Sequence, residues 1–193
     1  MTADLGNVID KILDSSDTTV GGGAASALSG AMAAGMIGMV AKLSMKKPVN
    51  LDPEEYQKIA EDCGKLMQEL KEGAVEDSRA YQGIVDAFRM PKDSEAEKDA
   101  RRAAVQAAAI RAAEVPRDNA VKCDQVHALG ARLKGNSNPA CLSDLESALY
   151  LSEGAVKDCV LNIQANLSMI KDDGVIRALK EDMLMLLLRV VCY

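Results

Sequence analysis

The stretch that decides the fold is "DTTVGGGAASALSGAMAAGMIGMVAKLS", which runs from Asp17 to Ser44. Three consecutive glycines, Gly21 to Gly23, open a run that carries no charge until Lys42. Most of this run is alanine, glycine, serine and methionine, and alanine and methionine are strong helix formers. Glycine and alanine also let neighbouring helices approach closely. The stretch therefore predicts a long, buried helix from about Ala24 to Met45 at the centre of a helical bundle.

Two other interpretations of this stretch fail on its composition. A phosphate-binding loop needs a preceding buried strand and a G-x-G-x-x-G or G-x-x-x-x-G-K pattern, and this stretch has neither. The interpretation as a membrane span fits the stretch better, because the uncharged run has about the length needed to cross a bilayer. However, Leu28, Ile37 and Val40 are its strongly lipophilic aliphatic residues, and the many small residues gain little from lipid. We therefore expect neither a nucleotide loop nor a membrane helix.

The composition of the whole chain predicts an all-α protein. Its 193 residues include no tryptophan, one phenylalanine and four tyrosines. Alanine, methionine and leucine, all strong helix formers, take the place of the aromatic residues. This length suits one domain spanning residues 1–193, which we expect to be an antiparallel bundle of long helices. A net charge of -6 disfavours nucleic acid as a partner, because phosphate binding needs a basic surface.

The cysteines and the single histidine form no metal-binding pattern. Five cysteines are scattered without a C-x-x-C pair, and His127 is the one histidine available to complete a zinc site. An odd number of scattered thiols fits a reducing compartment. The amino terminus has acidic residues and no basic segment typical of a signal peptide. We expect a cytoplasmic protein that holds no metal ion.

Apolar spacing and capping residues predict the helices of the amino-terminal half. Apolar residues between Leu5 and Leu13 recur at the spacing of one helix face. Asp52 followed by proline is typical of a helix start, and an apolar stripe continues over Pro53–Arg89. Ser94 and Glu97 then have the spacing of a capping box, which predicts the start of the next helix.

The carboxy-terminal half follows the same pattern. Pro116 either kinks the preceding helix or begins a new one that reaches about Lys134. The turn-rich segment "KGNSNPACLSD" separates it from a helix that Ser143 caps and that runs to about Ile170. A last helix starts near Gly174. The expected inward face of the helix that follows Ser143 comprises Leu145, Leu149, Ser152, Val156, Cys159, Ile163 and Ile170.

Polar residues on two of these helices are candidates for a binding site. Asp77 interrupts an apolar stripe between Ala74 and Tyr81. A carboxylate on such a wall can act as an acid or base, or it can pair with an arginine or cap a neighbouring helix. Asn162 and Asn166 lie one turn apart on one helix face. Their amides can bind a ligand or join helices in the core.

The three glycines also allow two interpretations. Gly21–Gly23 let backbone N–H groups approach a ligand, because no Cβ stands in the way. The helix that follows would direct the positive end of its dipole at an anionic or electron-rich group. The same glycines can serve only as a sharp turn, and the residues alone leave both interpretations open.

Four segments, taken in order, resemble the cyclodeaminase/cyclohydrolase family. The glycine stretch is similar to the family's P-G-G-G-[SG]-x-x-A-L-x-G-A segment. It is followed by "EDSRAYQGIVDAFRMPK" (Glu76–Lys92), by "EKDARRAAVQAA" from Glu97, and by "SDL" and "LNIQANL" (Ser143–Leu145 and Leu161–Leu167). The resemblance extends from about Leu5 to Lys171.

The resemblance implies a helical, homodimeric enzyme of folate one-carbon metabolism, with no cofactor beyond its folate substrate and no metal. A tetrahydrofolate derivative would bind at the helical interface. One family reaction closes 5-formiminotetrahydrofolate to 5,10-methenyltetrahydrofolate with loss of ammonia. The other opens the methenyl cation with water to give 10-formyltetrahydrofolate. The sequence does not choose between these two reactions.

The resemblance also assigns roles to individual residues. Asp77 and Asp144 are the expected catalytic residues, although Asp144 is also an ordinary first-turn acid of a helix. The glycine backbone and the two asparagines would contact the folate, and basic residues would bind its glutamate carboxylates. The expected substrate-binding residues are Gly21, Gly22, Gly23, Arg101, Asn162, Asn166 and Lys42.

The chain departs from the family pattern at three places, and two of them, Ala24 and the segment with Lys46 and Lys47, support a second hypothesis. Val20 stands where the family has proline, Ala24 stands where it has serine or glycine, and the segment that begins at Lys46 matches only loosely. Any role of the glycines here must therefore be played by the backbone, without a neighbouring hydroxyl. The alternative is a catalytically inactive helical folate-binding or assembly protein of the same fold.

Overall fold

The computed structural model describes residues 10–12, 14, 16 and 19–192. Over these residues the chain forms five long helices and one 3₁₀ turn, with no β-strand, which confirms the all-α prediction. The helices are α1 (Gly22–Met45), α2 (Pro53–Arg89), α3 (Glu95–Ala131), α4 (Leu142–Leu167) and α5 (Asp173–Cys192), and the 3₁₀ turn is Pro139–Cys141.

The first four helices form an up-down-up-down bundle, and α1 lies against the other three. Gly23 lies beside Asp77 and Gly38 lies beside Cys63, so α1 and α2 are antiparallel. Gly22 lies beside Asn162 of α4, which makes α4 antiparallel to α1 as well. The antiparallel bundle expected from the sequence is therefore observed.

Helix α1 can occupy the centre because its inward side chains are small. A Cβ added at Gly30 would lie 2.4 Å from the Sγ of Cys123, so only glycine allows α3 to approach this closely. Helix α1 has the length and composition of a membrane span, yet 61% of its most apolar window is buried among the other helices. Burial in a bundle accounts for its lack of charge.

The predicted helix starts are confirmed at two capping boxes. Asp52 and Ser94 each form a reciprocal box with the glutamate three residues later, at the starts of α2 and α3. The cap predicted at Ser143 is wrong. Pro139 starts a 3₁₀ turn, which the side chain of Asn138 caps by accepting the N–H of Ala140. Because that turn leads directly into α4 at Leu142, Ser143 already lies within the first helical turn.

Pro116 neither restarts nor ends a helix, because α3 runs through it without a break. Proline has no N–H to donate to the carbonyl four residues earlier, which is that of Ala112. The side-chain amide of Asn166 on α4 donates to this carbonyl instead, at 3.0 Å. A neighbouring helix thus supplies the hydrogen bond that the proline removes.

The predicted inward face of α4 is confirmed at all seven positions, which are buried. Helix α4 ends at Leu167, three residues earlier than expected, and Ile170 is buried just beyond it. The predicted helix between Leu5 and Leu13 falls largely outside the described residues. Residues 10–12 are helical.

Helix α5 packs alongside α3 through two ion pairs. The arginine belongs to α3 in one pair and to α5 in the other. Arg117 of α3 faces Asp182 of α5 at 3.6 Å, and Asp124 of α3 faces Arg189 of α5 at 3.3 Å. Asp124 is buried, and its Oδ1 has no hydrogen-bond partner within the described part of the chain. Burial raises the pKa of Asp124, while the nearby Arg189 acts in the opposite direction. The register of α5 therefore depends on this pair.

We expect Arg189→Met to lower the free energy of unfolding by about 1–2 kcal/mol, because Asp124 then has no ion-pair partner; the partial exposure of Arg189 limits the loss. Urea denaturation at pH 7 measures this difference. Lys180→Met, an exposed change on the same helix, is the control and should change stability little. Adding Asp124→Asn to Arg189→Met should restore part of the loss. A neutral Arg189→Met variant would contradict the role of the pair.

Candidate functional site at the amino terminus of helix α1

Asp77 lies directly over the first turn of α1. A Cβ added at Gly23 would lie 2.1 Å from the Oδ1 of Asp77, so the carboxylate occupies the space that a side chain would fill. The backbone N–H of Ala24 donates a hydrogen bond to this carboxylate. Asp77 therefore caps α1 from another helix, and the positive end of the α1 dipole stabilises its charge. The glycine is required here by close approach.

The pKa of Asp77 is raised above its ordinary value. Burial among apolar side chains is the larger cause, and the hydrogen bond from Ala24 only partly offsets it. Asp77 is nonetheless half-buried rather than enclosed. A partly accessible carboxyl group with a raised pKa can hold and release a proton closer to neutral pH than an exposed one.

Asn162 of α4 forms the other side of this turn. A Cβ added at Gly22 would meet the Nδ2 and Oδ1 of Asn162 at 3.4 Å, which is ordinary contact. The Nδ2 of Asn162 donates to the carbonyl of Asp158 at 2.8 Å, which leaves its Oδ1 and a second N–H for a ligand. No atom of the described chain lies near the Cβ position of Gly21, so the turn faces open space.

A buried polar layer lies under the glycine turn, and the sequence reasoning missed it. The hydroxyl of Ser26 donates to the carbonyl of Gly22 at 2.6 Å, and it also lies within hydrogen-bonding reach of the thiol of Cys159. Cys159 in turn lies beside Cys123, and this contact together with burial raises the pKa of Cys159. The one signal available in the sequence was the position of Ser26, four residues after Gly22.

Asn166 is occupied by structural hydrogen bonds. Its Nδ2 donates to the carbonyl of Ala112 at 3.0 Å and to that of Asn162 at 2.9 Å. Both amide hydrogens are therefore used within the protein, and Oδ1 is the atom left for a substrate. Asn166 contributes to the site chiefly by holding the backbone of Asn162.

We expect Asn166→Ala to destabilise the protein by about 1–3 kcal/mol, because the carbonyl of Ala112 then has no donor. The same change in a Pro116→Ala background should cost less, since residue 116 then carries an N–H of its own. Urea denaturation of the four proteins in this cycle should give a coupling energy of about 1 kcal/mol. Additive effects would show that Asn166 does not replace the missing backbone donor.

Two of the predicted site residues, Asp144 and Lys42, lie far from the glycine turn within one chain. Asp144 is 18 residues from Asn162 on α4, a separation of about 27 Å along the helix. Lys42 is 20 residues from Gly22 on α1, or about 30 Å. Their predicted roles require a second copy of the chain or a different part of the ligand.

Arg101 lies at the far end of the α2–α3 hairpin. Its guanidinium donates from Nε and Nη2 to the carbonyl of Phe88, at 3.2 and 3.0 Å, and lies 5.6 Å from the centre of the Phe88 ring. Arg101 thus caps the end of α2. Eleven residues, about 16 Å of helix, separate it from Ala112 beside the site.

The buried histidine and the two concave surface regions described next do not adjoin Asp77. His127 is buried, and its Nδ1 lies 2.8 Å from the Oγ of Ser152 in the core. Among the residues that the structure describes, no group of three or more His, Cys, Asp and Glu side chains could hold a metal ion. Concave regions of about 420 and 160 Å³ lie beside Met45 and beside Gly73, and neither includes Asp77.

Two proteins whose names describe folate enzymes are similar in sequence to this chain. Methenyltetrahydrofolate cyclohydrolase from Methylorubrum extorquens is 30% identical over 155 residues, which cover 80% of this chain and 74% of that protein. Formimidoyltransferase-cyclodeaminase from Gallus gallus is 29% identical over 154 residues. That match covers 79% of this chain and 28% of the chicken protein, which is much longer.

A solved structure and a family model also match this chain. The crystal structure of formiminotetrahydrofolate cyclodeaminase from Thermotoga maritima matches with a TM-score of 0.86 over 98% of this chain and 91% of that chain. At 23% identity, this likeness shows a shared fold. A family model described as formiminotransferase-cyclodeaminase matches residues 6–184. The chain therefore belongs to the formiminotransferase-cyclodeaminase family.

Proposed function

We propose that the chain is an enzyme of folate one-carbon interconversion at the N5/N10 bridge of tetrahydrofolate. Its activity is that of a formimidoyltetrahydrofolate cyclodeaminase or a methenyltetrahydrofolate cyclohydrolase, the two activities named among its relatives. The observation that carries the proposal is the carboxylate of Asp77, half-buried over Gly23 and bonded to the N–H of Ala24. An inactive folate-binding protein would not require a partly accessible carboxyl group with a raised pKa.

The chemistry of both reactions fits this carboxylate. Both pass through a tetrahedral carbon between N5 and N10, and both involve a cationic amidinium. An ionised Asp77 attracts that cation and can take a proton from the attacking water or nitrogen. When protonated, it can return the proton to the departing nitrogen. The free amide atoms of Asn162 can bind the pterin, which offers donors and acceptors.

The activity is tested by supplying the two substrates separately and following the methenyl absorbance. A fall in absorbance with methenyltetrahydrofolate, faster than its spontaneous hydrolysis, identifies a cyclohydrolase. A rise with formiminotetrahydrofolate, accompanied by ammonia, identifies a cyclodeaminase. No enzyme-dependent change with either substrate would overturn the proposal.

We also propose that the reaction needs no metal ion and takes place in the cytoplasm. A carboxylate and a cationic substrate supply the charges that the chemistry requires, and the five cysteines are free thiols, as in a reducing compartment. Prolonged dialysis against EDTA should leave the turnover number unchanged. Loss of activity that added zinc or magnesium restores would contradict metal independence.

We propose that the protein is a homodimer that pairs through the outer face of α1. Met32 and Met39 are 51% and 41% exposed on a helix whose other side fills the core. Together with Gly35 and Met36 they form an outer stripe that is uncharged until Lys42. An apolar stripe of this kind is typical of a surface that a partner covers. Sedimentation should give twice the chain mass, and Met32→Lys should shift the protein towards monomer.

A further inference from the structure

The face of α2 that packs on α1 continues beyond the point where α1 begins. Ala74 of α2 is buried in one apolar cluster with Ala24 of α1. Tyr81 and Phe88 follow Ala74 by seven and fourteen residues, which is about two and about four helical turns, so they lie on the same face. Because α1 is antiparallel to α2 and begins beside Asp77, it does not extend to these two aromatic residues. This end of the face is therefore not covered by α1.

The two aromatic side chains on this uncovered part of α2 are exposed. Tyr81 is 41% exposed and Phe88 is 49% exposed, whereas Tyr56 is fully buried in the core. Phe88 is also the only phenylalanine of the chain. Counted from Asp77, Tyr81 is four residues and Phe88 is eleven residues further along α2, which is about 6 and about 16 Å of helix. An aromatic track, defined as Tyr81 and Phe88, thus leads from the candidate site along α2.

The far end of the aromatic track carries a positioned guanidinium. Arg101 donates from Nε and Nη2 to the carbonyl of Phe88 at 3.2 and 3.0 Å, and its guanidinium lies 5.6 Å from the centre of the Phe88 ring. Both hydrogens of Nη1 and one of Nη2 remain available. The other three arginines of α3 each lie within ion-pair distance of a carboxylate, and Arg101 has no such partner among the described residues. A guanidinium held in this way is suited to a carboxylate of a ligand.

The order of these groups along α2 matches the order of the groups in a tetrahydrofolate. The p-aminobenzoyl ring of that molecule is bonded to N10, beside the reacting carbon, and the glutamate carboxylates lie at the far end of the molecule. With the reacting carbon at Asp77, the ring is within reach of Tyr81, one helical turn further along. In the opposite direction the same face is closed, because Ala74 and Ala24 are buried between the two helices. A substrate that lies along α2 therefore extends towards Arg101.

We propose that the aromatic track is the subsite for the p-aminobenzoyl-glutamate part of the substrate. The ring of Tyr81 stacks on the p-aminobenzoyl ring, and Phe88 holds the guanidinium of Arg101 in position to bind a glutamate carboxylate. This inference rests on the proposed function and names further residues of the same site. The three side chains bind parts of the substrate that do not react, so they bind the ground state and the transition state alike. Their loss raises KM and leaves kcat unchanged.

Steady-state kinetics of three tyrosine variants test the stacking. Tyr81→Ala should raise KM by about 3–10-fold, the usual effect of one aromatic pair, with kcat unchanged. Tyr81→Phe keeps the ring and should keep the wild-type KM. Tyr150→Ala removes a tyrosine that is 71% exposed on α4 and is the matched control, with wild-type kinetics expected. A wild-type KM for Tyr81→Ala would overturn the stacking, and so would a loss confined to kcat.

Calorimetric binding of two stable ligands tests Arg101 without any turnover. The ligands are 5-formyltetrahydrofolate and 5-formyltetrahydropteroate, which ends at the p-aminobenzoate and lacks the glutamate. Arg101→Gln should weaken the first by about 10-fold or more and the second little, because the lost bonds are made to a charged group of the glutamate. Arg102→Gln, an exposed change whose arginine pairs with Asp99, is the control for both ligands. Equal losses for the two ligands would show that Arg101 acts only by capping α2.

The two experiments separate a wrong subsite from a wrong function. A wild-type protein that turns over folate, with unchanged KM and ligand affinity in Tyr81→Ala and Arg101→Gln, overturns the subsite and keeps the function. A wild-type protein without turnover, whose affinity for 5-formyltetrahydrofolate still depends on Arg101, overturns the function and keeps the subsite. Sedimentation of Tyr81→Ala tests a second copy of the chain as the occupant of the track. A lowered mass with a wild-type KM would assign the track to that copy and overturn the proposal.

Discussion

Asp77→Asn lowers kcat by about 10²–10⁴-fold, the usual contribution of a positioned acid or base, and leaves the fold intact. Asparagine has the same shape, fits over Gly23, and still accepts the hydrogen bond of Ala24. The change removes only the charge and the exchangeable proton. Steady-state turnover of both folate substrates measures the loss. Asp86→Asn is the control: it is an exposed change on the same helix, its carboxylate accepts a hydrogen bond from Gln82, and the variant should keep full activity.

The stability of this variant should move in the opposite direction from its activity. The pKa of Asp77 is raised by folding, so its protonated form favours the folded state. That contribution is present at low pH and is lost as the pH rises through the folded pKa. At pH 7 the ionised carboxylate is therefore a cost that asparagine lacks. We expect the Tm of Asp77→Asn to equal or exceed that of the wild type at pH 7, with the difference shrinking towards pH 4.

A folded and fully active Asp77→Asn protein would remove Asp77 from the mechanism. An inactive variant with a clearly lowered Tm would instead assign Asp77 to the capping of α1. The two measurements together separate a catalytic carboxylate from a structural one.

Gly23→Ala should also lower kcat by about 100-fold, because a misplacement of a catalytic group by about 1 Å has an effect of this size. The new Cβ would lie 2.1 Å from Oδ1 and 2.4 Å from Cγ of Asp77. Either the carboxylate or the first turn of α1 must move. Alanine also favours helix over glycine by about 1 kcal/mol, which offsets part of the strain. The loss should therefore appear in turnover more than in stability.

Neighbouring glycines provide the matched controls for this change. Gly21→Ala places its Cβ in open space and should leave activity near the wild-type value. Gly22→Ala meets Asn162 at ordinary contact distance, so its effect should be intermediate. Turnover and Tm are measured for all three variants. Equal losses at Gly21 and Gly23 would show that the turn responds to helix propensity rather than to the position of Asp77.

Local sequence signals predicted most of the fold because they act within a few residues. The capping boxes at Asp52 and Ser94 depend on residues three positions apart, and both are present. The cap predicted at Ser143 was wrong because the 3₁₀ turn that starts at Pro139 leads into α4 at Leu142, one residue before Ser143. Of the two alternatives for Pro116, the start of a new helix was wrong, and the donor that replaces the missing N–H lies 50 residues away, on Asn166.

The candidate site was predictable only in part. Asp77 was identified because it interrupts an apolar stripe, and Asn162 because it lies one turn from Asn166 on one helix face. The family resemblance then assigned both residues to the site. Their meeting at the glycine turn depends on how α2 and α4 pack against α1, which no local pattern encodes. Ser26 was missed because serines in helices commonly bond only their own backbone, so its position gave no sign of a contact with another helix. Arg101 was predicted to bind a glutamate carboxylate of the substrate, and packing places its guanidinium at the end of α2.

The hydrogen bond from Asn166 to the carbonyl of Ala112 makes the continuity of α3 at Pro116 depend on α4 as well as on α3 itself. If the last turns of α4 open locally, the carbonyl of Ala112 loses the side-chain donor that Asn166 supplies, and α3 can bend at Pro116. Amide exchange should therefore link residues 112–120 with residues 160–167 in one cooperative opening unit. Because Asn166 also bonds the backbone carbonyl of Asn162, such an opening should shift Asn162 at the candidate site together with the segment around Pro116.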